Sequence, residues 1–329
     1  MSWVFKAKYW LPSGVQWEDL QNKTDPNGGI YPTTNHLTMT LLTGVSLIIY
    51  RLIFENYIFI PLAYFLSRKN QPETRQEILD REKKYSRMAE CAMRCHYYLL
   101  SFSIGLYLVS HESHWNDMKE CWRNWPFHPI PKAIAWYYWI QGGFYMSLIF
   151  GILFLDAKRS DFFQMLFHHC ITLILINVSY VMNMVRVGTL VLVSHDAVDI
   201  LIDLGKLFRY EGWDNALAVT FLAVLSVWVM TRLIYYPFWI MHSVWFDAPA
   251  LIQTDYSWIN FSQQPIAPRL IMILLSALLI LNLFWAYILF KLQIAYDSIN
   301  EGVLDDVRED FDEISKCNRE KNKNAKKDN

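Results

Sequence analysis

The chain has 329 residues, 53% of them hydrophobic and 16% aromatic, with a formal net charge of −1. That balance excludes broad electrostatic attraction to nucleic acid or anionic lipid. Cys91, Cys95, Cys121, Cys170 and Cys317 show no spacing of a disulfide framework or a zinc set. The apolar residues arrive in long runs, which excludes an ordinary soluble domain.

Residues 1–36 hold charges, Pro and Gly, without an apolar core of signal-peptide type. Seven runs of about 18 or more mainly apolar residues follow, at 37–66, 95–112, 133–155, 162–184, 187–208, 215–241 and 270–290, long enough for a ~30 Å hydrocarbon core. Backbone in lipid must satisfy its own hydrogen bonds, so each run is expected to be a helix. The fold class is an all-α polytopic membrane protein with about seven transmembrane helices. Arg51 and Glu55 in the first can pair across one turn. The charged stretch 67–81 is a linker, and 296–329 is an acidic, then basic tail. "HESH" at 111–114 lies at the end of the second run and is expected to be solvated. The aromatic-rich stretch 115–139 reads as an interfacial belt.

Lys and Arg are distributed 19 to 8 between the two sides of this arrangement. The excess places the tail and the linker in the cytosol and the N-terminal segment in a lumen. Asn22 in "NKT" is then a lumenal glycosylation acceptor. Lys326 and Lys327 in "KKDN" resemble a retrieval address for the endoplasmic reticulum, against the plainer reading of a solvated basic tail.

The fourth and fifth runs hold the residues suited to chemistry. His168 and His169 lie in a stretch without Asp, Glu, Lys or Arg, on a helix whose stripe of Gln164, His168, Thr172, Ser179 and Asn183 is polar. In the fifth run Asp196, Asp199, Asp203 and Lys206 fall within an arc of about 80°, flanked by His195. Ionisable groups inside a membrane span need a reason. At ~1.5 Å per residue the histidines lie about 10 Å from the cytosolic end, Asp203 about 8 Å, Asp199 about 13 Å and Asp196 about 18 Å. Matched depth makes Asp199 and Asp203 the carboxylates expected nearest the histidines. Histidine backed by carboxylate serves as general base or nucleophile. The same residues can bind a metal or simply hold helices together. Trp228 and Arg232 lie one turn apart and can line the same cavity, with snorkelling of Arg232 to the interface as the alternative.

"HHCITLILINVSYVMNMVRVGTLVLVSHDAVDILIDLGK" resembles the signature block of the ceramide synthases, the longevity-assurance group of the TLC-domain family. "WYYWIQGGFY" and "DAKRSDFFQMLFHH" resemble the family too, and the similarity covers roughly 82–295. The resemblance implies a six-helix TLC-type bundle around a central cavity, preceded by the helix at 37–66. It implies a multi-pass enzyme of the endoplasmic reticulum that joins a fatty acyl-CoA to the amine of a sphingoid base. Its essential positions fall on His168, His169, Asp196 and Asp199, with Asp203, Asn183 and His195 in support. No metal or other cofactor is implied, since acyl-CoA is a substrate. Membrane lipids surround the protein, and homo- or heterodimers with related synthases are allowed. The linker is too short for the homeobox-like domain of many animal relatives. The family's acyl-length loop corresponds to 242–268. A non-enzymatic lipid carrier or membrane-protein chaperone of the same domain family is the alternative, but a carrier needs no proton-transfer groups. A di-iron hydroxylase needs several histidine clusters, and only one adjacent pair occurs among nine histidines.

Overall fold

The computed structural model describes residues 6–12, 14–21, 25–26, 28–66, 74–156 and 161–298. Asn22, Lys326 and Lys327 lie outside them, as do Lys158 and Arg159. Seven long helices dominate the described residues: α1 (Thr34–Leu66), α2 (Arg75–Ser110), α3 (Lys132–Phe154), α4 (Phe162–Val181), α5 (Val185–Glu211), α6 (Asp214–Ile252) and α7 (Ala267–Ser298). No strand occurs among these residues, only one antiparallel bridge between Ile30 and Ile130.

α1, α4, α6 and α7 are long and apolar enough to cross a membrane. Their outward faces carry exposed large apolar side chains, among them Leu42, Val219, Phe238 and Ile280. α2, α3 and α5 are equally long but mix charge or aromatic residues into the helix, and they fill the interior. α3 is apolar around most of its circumference and largely buried, as a central helix must be. α1 and α4 pack on α3, while α5 lies between α2 and α6. The crossing of α1 on α3 depends on glycine: a Cβ on Gly143 would lie 2.6 Å from the backbone nitrogen of Gly44. Thr43 Oγ1 reaches across to the Trp139 carbonyl at 2.7 Å.

The helix ends follow local chemistry. Thr74 accepts from the Glu77 amide at 3.3 Å and donates its own amide to Glu77 Oε2 at 3.1 Å, a capping box that starts α2 well before its apolar part. Gly212, at φ 70°, ends α5 in the left-handed conformation. α6 winds as a π-helix over Val229–Met241 and Ser243–Asp247. Val224, Trp228, Arg232, Tyr236, Ile240, Val244 and Ala248, every fourth residue, are all buried. On a 3.6-residue helix such a series drifts about 40° per step. The wider i→i+5 turn takes more residues per turn and turns the series back against that drift. α6 therefore runs to Ile252, and the first part of the expected 242–268 loop is helix.

The connections separate into two ends. At one, Arg51 of α1 binds Asp156 beyond α3, and Ala63, Tyr85 and Met88 pack with Leu207 and Tyr210. At the other, a cap forms. The Ile266 amide donates to the Tyr9 carbonyl at 2.9 Å, Trp122 Nε1 donates to Ser243 at 2.9 Å, and Trp125 Nε1 donates to the Met182 carbonyl at 2.8 Å. This grouping of segments is the one expected from the Lys and Arg distribution.

Candidate functional site

The polar side chains of α4 and α5 meet partners from α2, α3, α6 and α7 in the bundle interior. His168 and His169 are 7% and 4% exposed, with ring centroids 5.3 Å apart. Tyr145 of α3 touches both rings, at 5.7 Å from His169 and 6.5 Å from His168. It also lies within electrostatic range of Asp196, Asp199 and Arg232. Trp285 of α7 stands edge-on to His168 at 5.4 Å.

The carboxylates of α5 diverge to different neighbours. Asp196 is completely buried. One oxygen accepts from Ser101 Oγ of α2 at 2.6 Å and from Gln141 Nε2 of α3 at 2.8 Å. Asp199 pairs with Arg232 of α6 at 2.6 Å. Asp203 takes the Arg94 guanidinium of α2 in two bonds of 3.1 Å and Lys206 at 3.2 Å. Arg232 is 3% exposed, covers the Trp228 ring at 4.3 Å and donates to the His195 carbonyl at 3.1 Å. It does not snorkel. The His195 ring meets the Tyr236 ring at 5.2 Å and Asn282 Nδ2 at 3.3 Å.

Three expectations need correction. Asp199 backs an arginine rather than an imidazole, because α6 delivers Arg232 to it first. Asn183 is no part of the site. It breaks the chain between α4 and α5 at φ 57°, a conformation asparagine tolerates, and donates to the Pro126 and His128 carbonyls at 2.7 Å in the cap. His114 of "HESH" is fully buried, not solvated.

Arg94, Ser101, Gln141, Tyr145, Asn282 and Trp285 were missed by the sequence reading. Gln141 and Asn282 gave a signal: each is an isolated amide in an apolar run, which in a membrane calls for a partner. Arg94 gave little, since it sits where the charged part of α2 meets the apolar part.

Several buried polar atoms of these interior side chains have no hydrogen-bond partner among the described residues. They are His168 Nδ1, His169 Nδ1, Asp196 Oδ1, Arg232 Nε, Trp228 Nε1, Trp285 Nε1 and Asn282 Oδ1. Native interiors satisfy such atoms with few exceptions, and a cluster of exceptions marks a place where something polar binds. Neutral imidazole can accept a proton or attack a carbonyl there, and ion-paired Asp199 and Arg232 supply a fixed dipole beside it. Among the described residues no three His, Cys, Asp or Glu side chains converge as a metal set.

The TLC-domain family model matches residues 87–291. Ceramide synthase hyl-2 of Caenorhabditis elegans is 72% identical over 327 residues, 99% of each chain. Ceramide synthase hyl-1 of the same organism is 39% identical, covering 94% of this chain and 84% of its own. Human ceramide synthase 5 is 29% identical, covering 88% and 82%.

Proposed function

The chain belongs to the TLC-domain family and, within it, to the ceramide synthases, and from that premise we propose how it works. It transfers a fatty acyl group from acyl-CoA to the amine of a sphingoid base, giving ceramide or dihydroceramide and free CoA. Supporting the site assignment is one observation: His168, His169 and Asp196, each with an unpartnered polar atom, lie around the same tyrosine, Tyr145, inside an apolar bundle.

In the reaction, an imidazole nitrogen of His168 or His169 attacks the thioester carbonyl. The carbon–sulfur bond breaks and CoA leaves as thiolate. The ammonium of the base gives one proton to the departing thiolate, the free amine then attacks the acyl-imidazole, the amide forms, and the imidazole is released to take up the second proton. Asp196, held by Ser101 and Gln141, keeps one oxygen for the incoming ammonium. Asp199 with Arg232 stabilises the charge that moves through the site. The protein resides in the endoplasmic reticulum membrane. The Lys- and Arg-rich end faces the cytosol, where the anionic CoA head stays, and the cap faces the lumen.

Purified protein given acyl-CoA without sphingoid base should gain the mass of one acyl chain by intact-protein mass spectrometry. Sphinganine or hydroxylamine should remove it. No adduct, with both histidines still essential, selects direct attack by the amine with His as general base. Absence of N-acyl transfer with every acyl-CoA and sphingoid base rejects the activity. A protease that fails to reach a C-terminal tag in sealed microsomes rejects the orientation.

A further inference from the structure

α7 carries two polar side chains one turn apart in an otherwise apolar stretch, Asn282 at 0% exposure and Trp285 at 7%. His195 fixes how Asn282 is turned. The His195 Nδ1 lies 2.8 Å from the Val191 carbonyl, which can only accept, so Nδ1 carries the proton. Nε2 of the neutral ring is then an acceptor, and Asn282 Nδ2 donates to it at 3.3 Å. Asn282 Oδ1 is left as a buried acceptor with no donor among the described residues. Trp285 Nε1 is the converse, a buried donor with no acceptor among them. Asn282 abuts the His195 ring, and Trp285 stands against His168.

An orphan acceptor and an orphan donor one helical turn apart can both be satisfied by a group that gives and takes a hydrogen bond, as a hydroxyl does. Acyl-CoA does not bring one to this depth. Its thioester carbonyl and sulfur only accept, its hydrocarbon does neither, and its nearest N–H lies beyond the sulfur on the CoA side. The sphingoid base carries a hydroxyl on each carbon flanking its amine. We propose that Asn282 and Trp285 form the hydroxyl subsite for the sphingoid base. One hydroxyl donates to Asn282 Oδ1 and accepts from Trp285 Nε1, which holds the neighbouring amine beside His168. This assignment rests on the acyltransferase reading above and names the residues that tell the base from a plain long-chain amine. A site built to bond a hydroxyl rejects the analogue that lacks it, because its own buried polar atoms are then left unpaired.

The test uses the full-length purified protein at saturating acyl-CoA, with sphinganine and its 1-deoxy and 3-deoxy analogues. Asn282→Leu keeps the volume and removes the acceptor; Trp285→Phe keeps a ring against His168 and removes the N–H. Wild type should prefer sphinganine to at least one deoxy analogue in kcat/KM. Each variant should lose roughly tenfold on sphinganine, the scale of one buried hydrogen bond. The loss on that analogue should be much smaller, so the preference collapses while KM for acyl-CoA holds. Equal losses on all three amines would overturn the subsite and leave the pair a packing role. A fall in kcat at constant sphinganine KM, with the preference intact, would also overturn it and move Trp285 to the acyl carbonyl. If Asn282→Leu fails to fold, Trp285→Phe decides alone. Active wild type with unchanged preference in the variants defeats the subsite alone. Wild type inactive toward every sphingoid base defeats the activity and the subsite with it.

Discussion

Two histidine pairs are buried in this protein. His114 and His128 lie in the cap, at 0% and 4% exposure, and all four of their ring nitrogens lack partners among the described residues. They match His168 and His169 in burial and exceed them in unpartnered ring nitrogens. Their surroundings differ. The charged group felt by both cap histidines is Arg186, whose guanidinium donates to the Glu120 carbonyl at 2.6 Å. Burial first, then Arg186, hold His114 down at about 4. Burial, Arg186 and His114 hold His128 down at about 3. Both stay neutral across the physiological range, beside a cation, and no carboxylate is among the groups that shift either ring. His168 and His169 share Tyr145 with Asp196, Asp199 and Arg232. A buried, unpartnered imidazole is therefore an insufficient mark of reaction; its charged neighbours make the difference.

The comparison breaks most visibly in activity. His168→Ala and His169→Ala should each lower the rate at least ~10²-fold, the scale of lost acid–base catalysis, with protein level and membrane insertion intact. His114→Gln and His128→Gln should leave the rate per folded molecule nearly unchanged in the same assay. A comparable loss from His128→Gln would erase the distinction.

The ion pair beside the central histidines comes next. Arg232→Leu leaves Asp199 without its cation and should cost about 3–5 kcal/mol, read as a fall in melting temperature in detergent. Asp199→Leu together with Arg232→Leu should recover much of that stability and none of the activity. Recovery of both would reduce the pair to scaffolding. Asp203→Asn should act differently, since Arg94 and Lys206 hold Asp203 away from the histidines. We expect a lower melting temperature and less than ~10-fold loss in rate.

The smallest effect lies in the cap. His114 and His128 refuse a proton when folded that they accept when unfolded at an ordinary value near 6.5. Their stabilising contribution is thus complete above about pH 6.5 and drains as pH falls toward 4 for His114 and 3 for His128. The slope is at most about 1.4 kcal/mol per pH unit for each histidine. Melting temperature measured from pH 7.5 to 5 should fall, and the double variant His114→Gln, His128→Gln should flatten that fall. An unchanged slope would assign the acid sensitivity elsewhere.

Hydropathy made the seven long helices legible, because each contains a long, mainly apolar run, and four of them are apolar enough to cross a membrane. It failed at helix ends governed by other physics. α2 begins at Arg75 rather than 95, through a capping box that "TRQE" spells out but that no apolar count registers. α6 continues past 241 with buried residues repeating every four, a period between those of the α- and π-helix that an apolar count does not register. The chemistry-bearing types were legible too: His168, His169, Asp196 and Asp199 stand out against their apolar background. Their partners were not, since pairing depends on which helices become neighbours. Arg94 finds Asp203 across 109 positions and Gln141 finds Asp196 across 55, distances over which a one-dimensional pattern carries no register.

The Gly44–Gly143 crossing bears on where this protein can be cut. The match to the domain-family model begins at residue 87, after α1 has ended. Yet α1 meets α3 backbone to backbone, and its Arg51 is the cation bound to Asp156. A chain started at residue 75 would uncover Gly143 on α3 and leave Asp156 without that cation. The stretch the family model matches is thus smaller than the stretch that must fold together, and a minimal active fragment has to be counted from α1.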